Sequence, residues 1–355
     1  MLQISKPFII PLFIPHEGCP NQCIFCDQSA ITGKTRRMPS PEELRLEISS
    51  YLKYKGPGRH PVQISFYGGT FLGLENRRIR DLLALATDFV EQGLVDSIRF
   101  STRPDSVDEQ RLDIIAPFPV KTVELGVQSM DDQVLGLSRR GHGSEHTKAA
   151  AALLARRGYE TGFQVMVGLP GDTLAKSLVT AERLARLKPA FIRIYPVLVL
   201  VGSSLAGLFE RGAFSPLDLS QAVAHVKQLY LFYRKNNIPV IRMGLQASEE
   251  LDSGAVVMAG PYHPSFGHLV LSDIFLDMAT MILQMEYKQT RLSPVNFYVH
   301  SKNISRIRGL KNNNLDVLKT KFNLDAIGIF ADDSLDIETV KTKNTRLTIL
   351  DLCQA

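Results

Sequence analysis

Short apolar runs rich in β-branched and aromatic residues alternate with stretches of helical periodicity along the first 245 residues. This alternation predicts strands joined by helices, which pair in parallel through right-handed crossovers. Six or seven such units indicate an α/β fold, a full or partial barrel whose working face lies at the carboxyl ends of the strands. The predicted strands are Ile10–Ile14, Val62–Tyr67, Ser97–Ser101, Thr122–Val127, Gly162–Val167, Phe191–Tyr195 and Val240–Met243.

The segments between these strands carry helix signals. Ser40 to Glu43 form a capping box with proline at the first helical position. Amphipathic spacing predicts further helices over Asn76–Val90, Glu145–Arg157, Thr173–Leu187 and Pro216–Lys235.

The amino-acid composition changes from residue 252 to 268, where Gly, Pro and His are frequent. This change predicts a domain boundary. We expect residues 1–250 to form the barrel and residues 251–355 to form a smaller C-terminal α/β domain that serves as a substrate-binding region. The pattern beyond the boundary predicts one helix, Leu271–Met285, and three strands, Val295–His300, Ala326–Phe330 and Leu347–Leu350.

Composition narrows the class of protein. The 355 residues are 45% hydrophobic, enough to bury a large core, yet no uninterrupted apolar run reaches the roughly 18 residues of a membrane span. The apolar N-terminal stretch is broken by Pro11 and Pro15 and has no cleavage site for a signal peptide. We therefore expect a cytoplasmic protein without a membrane partner. The net charge of +5 permits an anionic partner.

Three of the four cysteines, Cys19, Cys23 and Cys26, lie within eight residues. This spacing excludes a secreted disulfide framework and indicates metal chemistry in a reducing compartment. Three thiolates on one loop can ligate three irons of a cubane cluster and leave the fourth iron open, as catalytic metal sites do. A zinc site with His16 as its fourth ligand is an alternative. A ferredoxin-like carrier would need a fourth nearby cysteine, and Cys353, near the end of the sequence, is expected to be a buried or free thiol.

The spacing Cys-x3-Cys-x2-Cys, with the aromatic Phe25 before the third cysteine, resembles the signature of the radical S-adenosylmethionine (SAM) superfamily. From about residue 8 to 270 the order of motifs resembles the radical domain of the Elongator catalytic subunit and, more distantly, oxygen-independent coproporphyrinogen oxidase. The motifs are SFYGGTF (Ser65–Phe71), STRPD (Ser101–Asp105), VELGVQSMDDQVL (Val123–Leu135), RRGH (Arg139–His142), FQVMVGLPGDT (Phe163–Thr173) and RIYPVLVLVGSSL (Arg193–Leu205).

The resemblance implies a partial (β/α)6 TIM-like barrel and an enzyme with a [4Fe–4S] cluster on the three cysteines. In that superfamily the open iron binds the amino and carboxylate groups of SAM. One electron, from a donor such as ferredoxin or flavodoxin, then breaks the sulfonium bond and yields a 5′-deoxyadenosyl radical. No acetyl-CoA-type glycine-rich loop follows residue 270. The resemblance therefore extends to the radical step and not to acetyl transfer.

Further residues acquire expected roles from the resemblance. Gly68 and Gly69 would let the backbone approach the methionine amino group, and Thr70 stands where many relatives have an acidic residue. Arg140 would pair with the carboxylate of the cofactor, a task suited to a guanidinium. The remaining candidates would contact ribose or adenine: Ser101, Gln128 and Gln164 through hydrogen bonds, and Phe25 and Tyr195 through packing.

Glu124 and three histidines are further polar candidates. Glu124 falls within a strand motif and would line the barrel. A lone histidine such as His142 usually has a structural role. For His263 and His268 two interpretations stay open: a structural role, or a turn near the barrel mouth that helps the substrate.

The substrate is indicated only by charge. Residues 288–321 contain eight Lys or Arg and one acid, Asp316, and further arginines occur at 36, 37, 156 and 157. Such clusters suit phosphate backbones, although a solvated basic face is the commoner explanation. Three functions remain open: a radical enzyme acting on RNA, above all tRNA; a radical enzyme acting on a small or tetrapyrrole-like molecule; and a non-catalytic iron–sulfur or zinc protein.

Overall fold

A seven-stranded parallel sheet forms the larger part of the computed structural model, which describes residues 7–14, 18–20, 22–27, 37–56, 58–287 and 294–353. Its strands follow chain order across the sheet, as successive right-handed β–α units require. All seven predicted strands are confirmed within a few residues. They are β1 (Phe8–Ile14), β2 (Val62–Gly68), β3 (Ser97–Thr102), β4 (Val120–Gln128), β5 (Glu160–Val167), β6 (Phe191–Pro196) and β7 (Val240–Met243).

Helices connect the strands and cover the sheet. The curled sheet with these helices confirms the partial TIM-like barrel, with β7 as one strand beyond six β–α units. The helices of this part are α1 (Pro41–Tyr54), α2 (Asn76–Glu91), α3 (Glu109–Ile115), α4 (Asp132–Leu137), α5 (Ser144–Arg156), α6 (Leu174–Ala185), α7 (Ser204–Glu210), α8 (Leu219–Lys235) and α9 (Glu249–Asp252). A short antiparallel ladder pairs Val199–Leu200 with Val257–Ala259.

Local sequence sets where these helices begin. The predicted capping box at Ser40 and Glu43 is present at the start of α1. Asp218 caps α8 through its side chain and accepts from the backbone N–H of Gln221. The helix predicted from Pro216 therefore begins three residues later, at Leu219.

A four-stranded sheet forms the C-terminal part, together with α10 (Phe266–Tyr287), α11 (Ile304–Arg308), α12 (Asn313–Phe322) and α13 (Ile349–Leu352). Its strands are β8 (Val295–Val299), β9 (Ile327–Ala331), β10 (Thr339–Lys341) and β11 (Arg346–Thr348). They lie in the order β9-β8-β10-β11, with β8 and β9 parallel and the other neighbours antiparallel.

In this sheet the sequence analysis omitted one strand and was wrong in part about another. Strand β10 was not predicted, because three residues are too short to show alternation. The strand predicted at Leu347–Leu350 is wrong in its second half, since β11 ends at Thr348 and α13 begins at Ile349. Thr348 and Asp351 form a capping box there, and that box starts a helix.

Helix α10 is the one helix in the described part of the chain that is long and apolar enough, over Phe266–Glu286, to cross a membrane by length and composition. Half of that window is buried inside the protein. Asp273 and Asp277 on α10 each lie 2.7 Å from the ammonium group of Lys227 on α8. The helix therefore packs against the barrel helices through both apolar and ionic contacts. The domain boundary near residue 250 stays a prediction.

Candidate active site

The carboxyl ends of the parallel strands meet at one edge of the sheet, and the predicted site residues collect at this edge. The cysteine segment follows β1, and Gly68 and Gly69 end or follow β2. Arg103 follows β3, and Gln128 is the last residue of β4. Sequence reasoning placed the chemistry on this edge because parallel strands share their carboxyl ends.

The cysteine segment is held by its middle residue, Ile24. The backbone N–H of Ile24 donates to the carbonyl of Ser138 at 3.2 Å, and its own carbonyl accepts from Leu205 at 2.8 Å. The Ile24 side chain is buried in a small apolar cluster, and Phe25 packs against the same cluster while partly exposed. Phe25 thus has a structural partner, and its proposed contact with adenine stays a prediction.

Two glycines allow the segment to approach the loop after β2. Gly18, at φ +75°, lies so close to that loop that a Cβ there would overlap the carbonyl oxygen of Thr70. A Cβ on Gly73 would likewise overlap the carbonyl oxygen of Gly18. Backbone therefore packs directly on backbone, which only glycine permits. Sequence analysis did not assign these two residues, because neither lies in a strand or helix pattern.

Gly68 and Gly69 pack on the end of β1, just before the cysteine segment. Gly68 has φ +105°, and a Cβ there would lie 2.5 Å from the carbonyl oxygen of Ile14. The N–H of Gly69 donates to the same oxygen at 2.7 Å. The backbone conformation and the close approach to Ile14 thus require glycine at position 68, independently of any ligand that Gly68 and Gly69 bind.

The three thiols share one electrostatic environment. Burial, and then the neighbouring Cys23 and Cys19, raise the pKa of Cys26 to about 12. Cys23 is buried, whereas Cys19 is exposed and its Sγ lies 3.2 Å from Oγ1 of Thr70. The predicted cysteines and Thr70 are therefore brought together.

Two arginines face Cys23. Arg140 donates from Nη1 to Cys23 Sγ at 3.2 Å and from Nη2 to the carbonyl of Gly126 at 2.6 Å. Nη1 of Arg103 lies 4.0 Å from the same sulfur, and its other nitrogens bind Asp105 in a fork at 2.9 and 2.8 Å. The Arg103 Nη2 atom also donates to the carbonyl of Arg140 at 2.7 Å. Both contacts place positive charge beside the sulfur of Cys23.

Sequence analysis missed Arg103, although it lies in the STRPD motif. Its neighbour Asp105 carries a signal that would have found it, since an Arg-x-Asp spacing permits a local ion pair that fixes the guanidinium. Burial opposes ionisation of Asp105, but Arg103 outweighs it and holds the pKa of that carboxyl below its usual range.

His142 lies beside this pair of arginines. Burial and then the charge of Arg140 lower the pKa of His142 to about 4, so the imidazole is neutral at physiological pH. Of the other histidines, His263 accepts from the backbone N–H of Ser265 at 3.0 Å, and burial lowers the pKa of His268. His16 lies outside the described residues.

Gln128 ends β4 in a strained backbone conformation. Its φ is +68°, which is uncommon for a residue with a side chain and costs conformational energy. A Cβ on Gly126 would lie 2.8 Å from Arg140 Nη2 and 3.1 Å from Gln128 Nε2. Both predicted cofactor residues therefore lie over Gly126, which leaves them space because it has no side chain.

Glu124 is the centre of a polar network inside the barrel. Its carboxylate accepts from Arg193 Nη1 and Gln164 Nε2, both at 2.9 Å, and from Arg99 Nη1 and the Tyr67 hydroxyl, both at 3.3 Å. The side chain is completely buried. Burial opposes ionisation, but Arg193 and Arg99 hold the pKa of Glu124 below its ordinary value. The carboxylate is therefore ionised and structural.

Three predicted site residues join this network. Gln164 Nε2 also donates to the hydroxyl of Ser101 at 3.1 Å. The guanidinium of Arg193 lies over the ring of Tyr195, 5.5 Å from its centroid, and over Tyr67 at 5.1 Å. Burial raises the pKa of Tyr195 to about 12, so its hydroxyl stays protonated.

Three thiols on one segment are a donor set that fits an iron–sulfur cluster. Among the residues that the structure describes, no three His, Cys, Asp or Glu side chains form a group that could hold a single metal ion. In a cubane each thiolate binds a different iron, so the sulfurs need not meet at one point. Two guanidiniums beside Cys23 also suit an anionic cluster. The fourth thiol, that of Cys353, donates from Sγ to the carbonyls of Leu231 and Ile349, both at 3.5 Å. Its partners therefore lie outside the cysteine segment.

Fold and site together define a class: a half-barrel enzyme with a thiol-rich loop at the carboxyl edge of its sheet. The Radical SAM superfamily model matches residues 13–184, and the Radical_SAM C-terminal domain model matches residues 189–274. The chain belongs to the radical SAM superfamily.

Two microbial proteins are among the relatives with similar sequences. The uncharacterized protein MJ0486 of Methanocaldococcus jannaschii is 28% identical over 62% of this chain and 70% of its own length. The tRNA uridine(34) acetyltransferase of Dehalococcoides mccartyi is 25% identical over 66% of this chain and 60% of its own length.

Among solved structures, the archaeal Elp3 of Methanocaldococcus infernus is similar with a TM-score of 0.57 and 20% identity. The match covers 81% of this chain and 65% of the Elp3 chain. The chain thus spans less than two thirds of the acetyltransferase and of the solved Elp3, and at this identity the structural likeness shows the fold.

Proposed function

We propose that this enzyme holds a [4Fe–4S] cluster on Cys19, Cys23 and Cys26 and uses it to cleave SAM reductively. When bound, the cluster supplies an electron and an open iron, and the cleavage yields a 5′-deoxyadenosyl radical that takes a hydrogen atom from the substrate. A reductant such as ferredoxin or flavodoxin would deliver the electron. The cytoplasm, where thiols stay reduced, is the compartment that suits this chemistry.

The observation that carries the proposal is the pair of guanidiniums beside Cys23, on the segment that carries all three thiols. Arg140 and Arg103 place positive charge beside Cys23, where N–H donors stabilise a ligating thiolate and the negative charge of its cluster. We propose that Arg140 also attracts the carboxylate of SAM, while the backbone of Gly68 and Gly69 leaves the methionine end unobstructed.

The nucleoside end of SAM is assigned to residues that face the barrel interior. Gln164 is oriented by Glu124 and Ser101 through Nε2, which leaves its Oε1 to accept from a ribose hydroxyl. We propose that Ser101 and Gln128 add polar contacts to ribose or adenine. Phe25 and Tyr195 supply packing surfaces, and Thr70 orients Cys19.

The test is anaerobic reconstitution of the protein with iron and sulfide, followed by measurement of 5′-deoxyadenosine after addition of SAM and a reductant. We expect brown absorbance and 5′-deoxyadenosine from the unchanged protein. Cys23→Ala should lose both, whereas Cys353→Ala should keep both because its thiol bonds to carbonyls away from the loop. Cleavage by the Cys23→Ala protein would refute the cluster assignment.

We further propose RNA, above all tRNA, as the substrate. The support comes from the tRNA-modifying relative and from exposed cations in the described part of the basic stretch: Lys302, Arg308, Lys311 and Lys321. Residues 288–293 of that stretch lie outside the described residues. This assignment makes the C-terminal part the substrate-binding region.

The substrate test compares turnover with and without added tRNA. We expect mass analysis to find a modified nucleoside, and 5′-deoxyadenosine formation to increase, only when tRNA is present. No response to tRNA together with turnover of a small metabolite would instead favour a small-molecule substrate.

A further inference from the structure

The four-stranded sheet has one buried face and one face turned to solvent. On β8, Val295, Phe297 and Val299 are buried in the core, so Asn296 and Tyr298 point to the opposite face. Val340 on β10 and Leu347 on β11 join the same core. Their neighbours Lys341 and Arg346 therefore lie on the outer face with Tyr298.

Strand register aligns four of these outer residues. Tyr298 pairs with Phe330 on one side and with Lys341 on the other, and Lys341 pairs with Arg346. The order across the sheet is Phe330, Tyr298, Lys341, Arg346, one residue from each strand. We call these four residues the aromatic–cation row.

The aromatic half of the row is open and supported from below. The rings of Phe330 and Tyr298 are stacked, with centroids 5.6 Å apart and planes inclined by 28°. A Cβ on Gly328 would lie 2.6 Å from Cε2 of Phe330, so the Phe330 ring lies close over this glycine. Yet 48% of Phe330 is exposed. Two adjacent rings on the solvent face of a sheet form a surface on which another planar group can stack.

The cationic half defines that partner. Arg346 is exposed and Lys341 partly so. Asp332, whose pKa is lowered first by Ser334 and then by Lys341, is an acidic group near the row. Two adjacent rings with two adjacent cations match the bases and phosphates of a single strand, whose bases stack on aromatic side chains while cations bind the backbone. An apolar peptide or membrane would need a wider aliphatic surface.

We propose that the aromatic–cation row binds unpaired bases of an RNA substrate, with Phe330 and Tyr298 stacking on bases and with Lys341 and Arg346 contacting phosphates. This inference rests on the proposed RNA substrate and adds where and how the RNA is held. It also gives the smaller sheet a function separate from the radical site.

The test measures binding of a fluorescein-labelled single-stranded RNA by anisotropy, with a fully paired duplex of equal length for comparison. Loss of one stacked base costs about 1–3 kcal/mol, so Phe330→Ala should weaken binding of the single strand at least about fivefold. Phe330→Leu, which keeps apolar volume without a π face, should weaken it similarly, and Phe330→Trp should retain it. Leu46→Ala on α1, at an exposed apolar residue outside the C-terminal part, should change nothing.

Arg346→Gln distinguishes the two halves of the row. It should weaken binding of single strand and duplex alike and lower the dependence of affinity on salt. Unchanged single-strand affinity in both Phe330→Ala and Phe330→Leu would overturn the stacking role while leaving an RNA substrate in place. If the unchanged protein bound no RNA, the inference and the RNA substrate would both fail, and SAM cleavage without RNA would still stand.

Discussion

Glu124 shows how single residues fix the interior of the barrel. Its buried carboxylate is shared by Arg193, Arg99 and Gln164. Replacement by Gln leaves the two guanidiniums without a counter-charge, and breaking a buried ion pair in this way costs about 3–5 kcal/mol. We expect Glu124→Gln to lower the free energy of unfolding in urea by that amount. Glu145→Gln, which breaks an exposed pair with Lys148, should cost less than about 1 kcal/mol.

The same residue predicts a pH dependence. Because Arg193 and Arg99 hold the pKa of Glu124 below the value of about 4.3 in an unfolded chain, its stabilisation is present above that pH. As pH falls below about 4.3, the unfolded chain takes up the proton first and the stabilisation is lost. The difference in unfolding free energy between the unchanged protein and Glu124→Gln should be constant from pH 8 to 5 and shrink at lower pH. A difference that stayed constant at pH 3.5 would contradict this role.

At this scale, sequence predicts the chemistry of the site better than its contacts. The three cysteines and Thr70 do lie together, as their spacing and the family motifs indicate. The Arg103 contact with Cys23 joins residues 80 positions apart in the chain, and no local pattern specifies it. Contacts of this kind depend on how strands of the whole sheet bring their ends together.

At the scale of elements, the approach of Gly73 to Gly18 couples the cysteine segment to the loop after β2. Gly73→Ala would push a methyl group into the backbone of Gly18, so the segment must shift. We expect a clear loss of iron after anaerobic reconstitution, while far-UV circular dichroism stays unchanged. Gly136→Ala on α4, with nothing within 4 Å, is the matched control and should bind iron normally. Full iron content in Gly73→Ala would show that the approach is not needed for the cluster.

Strands and helices also differ in how far their own sequence, without their partners, predicts them. The strands of the large sheet are four to nine residues long and rich in β-branched and aromatic residues, and all seven were predicted. The C-terminal sheet is built partly from three-residue strands, whose existence depends on pairing with β8 and not on their own pattern. Helix α13 could have been found from Thr348 and Asp351, since their spacing is that of a capping box.

At the scale of the whole molecule, the two sheets share one hydrophobic core. The same cluster contains Ile10 of β1, Val226 of α8, Phe275 of α10 and Phe297 of β8. Arg234 of α8 also pairs with Glu338, which precedes β10. Residues beyond the predicted boundary near 250 are thus packed on barrel helices through a continuous apolar contact.

A shared core predicts that both sheets unfold together. We expect one urea transition, with the same midpoint by far-UV circular dichroism and by hydrogen exchange of peptides from either sheet. Phe297→Ala removes a fully buried ring and should lower the unfolding free energy by about 3–5 kcal/mol. Exchange should then quicken in peptides of β3 and β4 as well as β8, whereas Leu310→Ala at an exposed position should leave both sheets unchanged. Faster exchange confined to β8 through β11 would mean that the C-terminal part is an independent folding unit, because the apolar contact would then contribute little to the stability of the barrel.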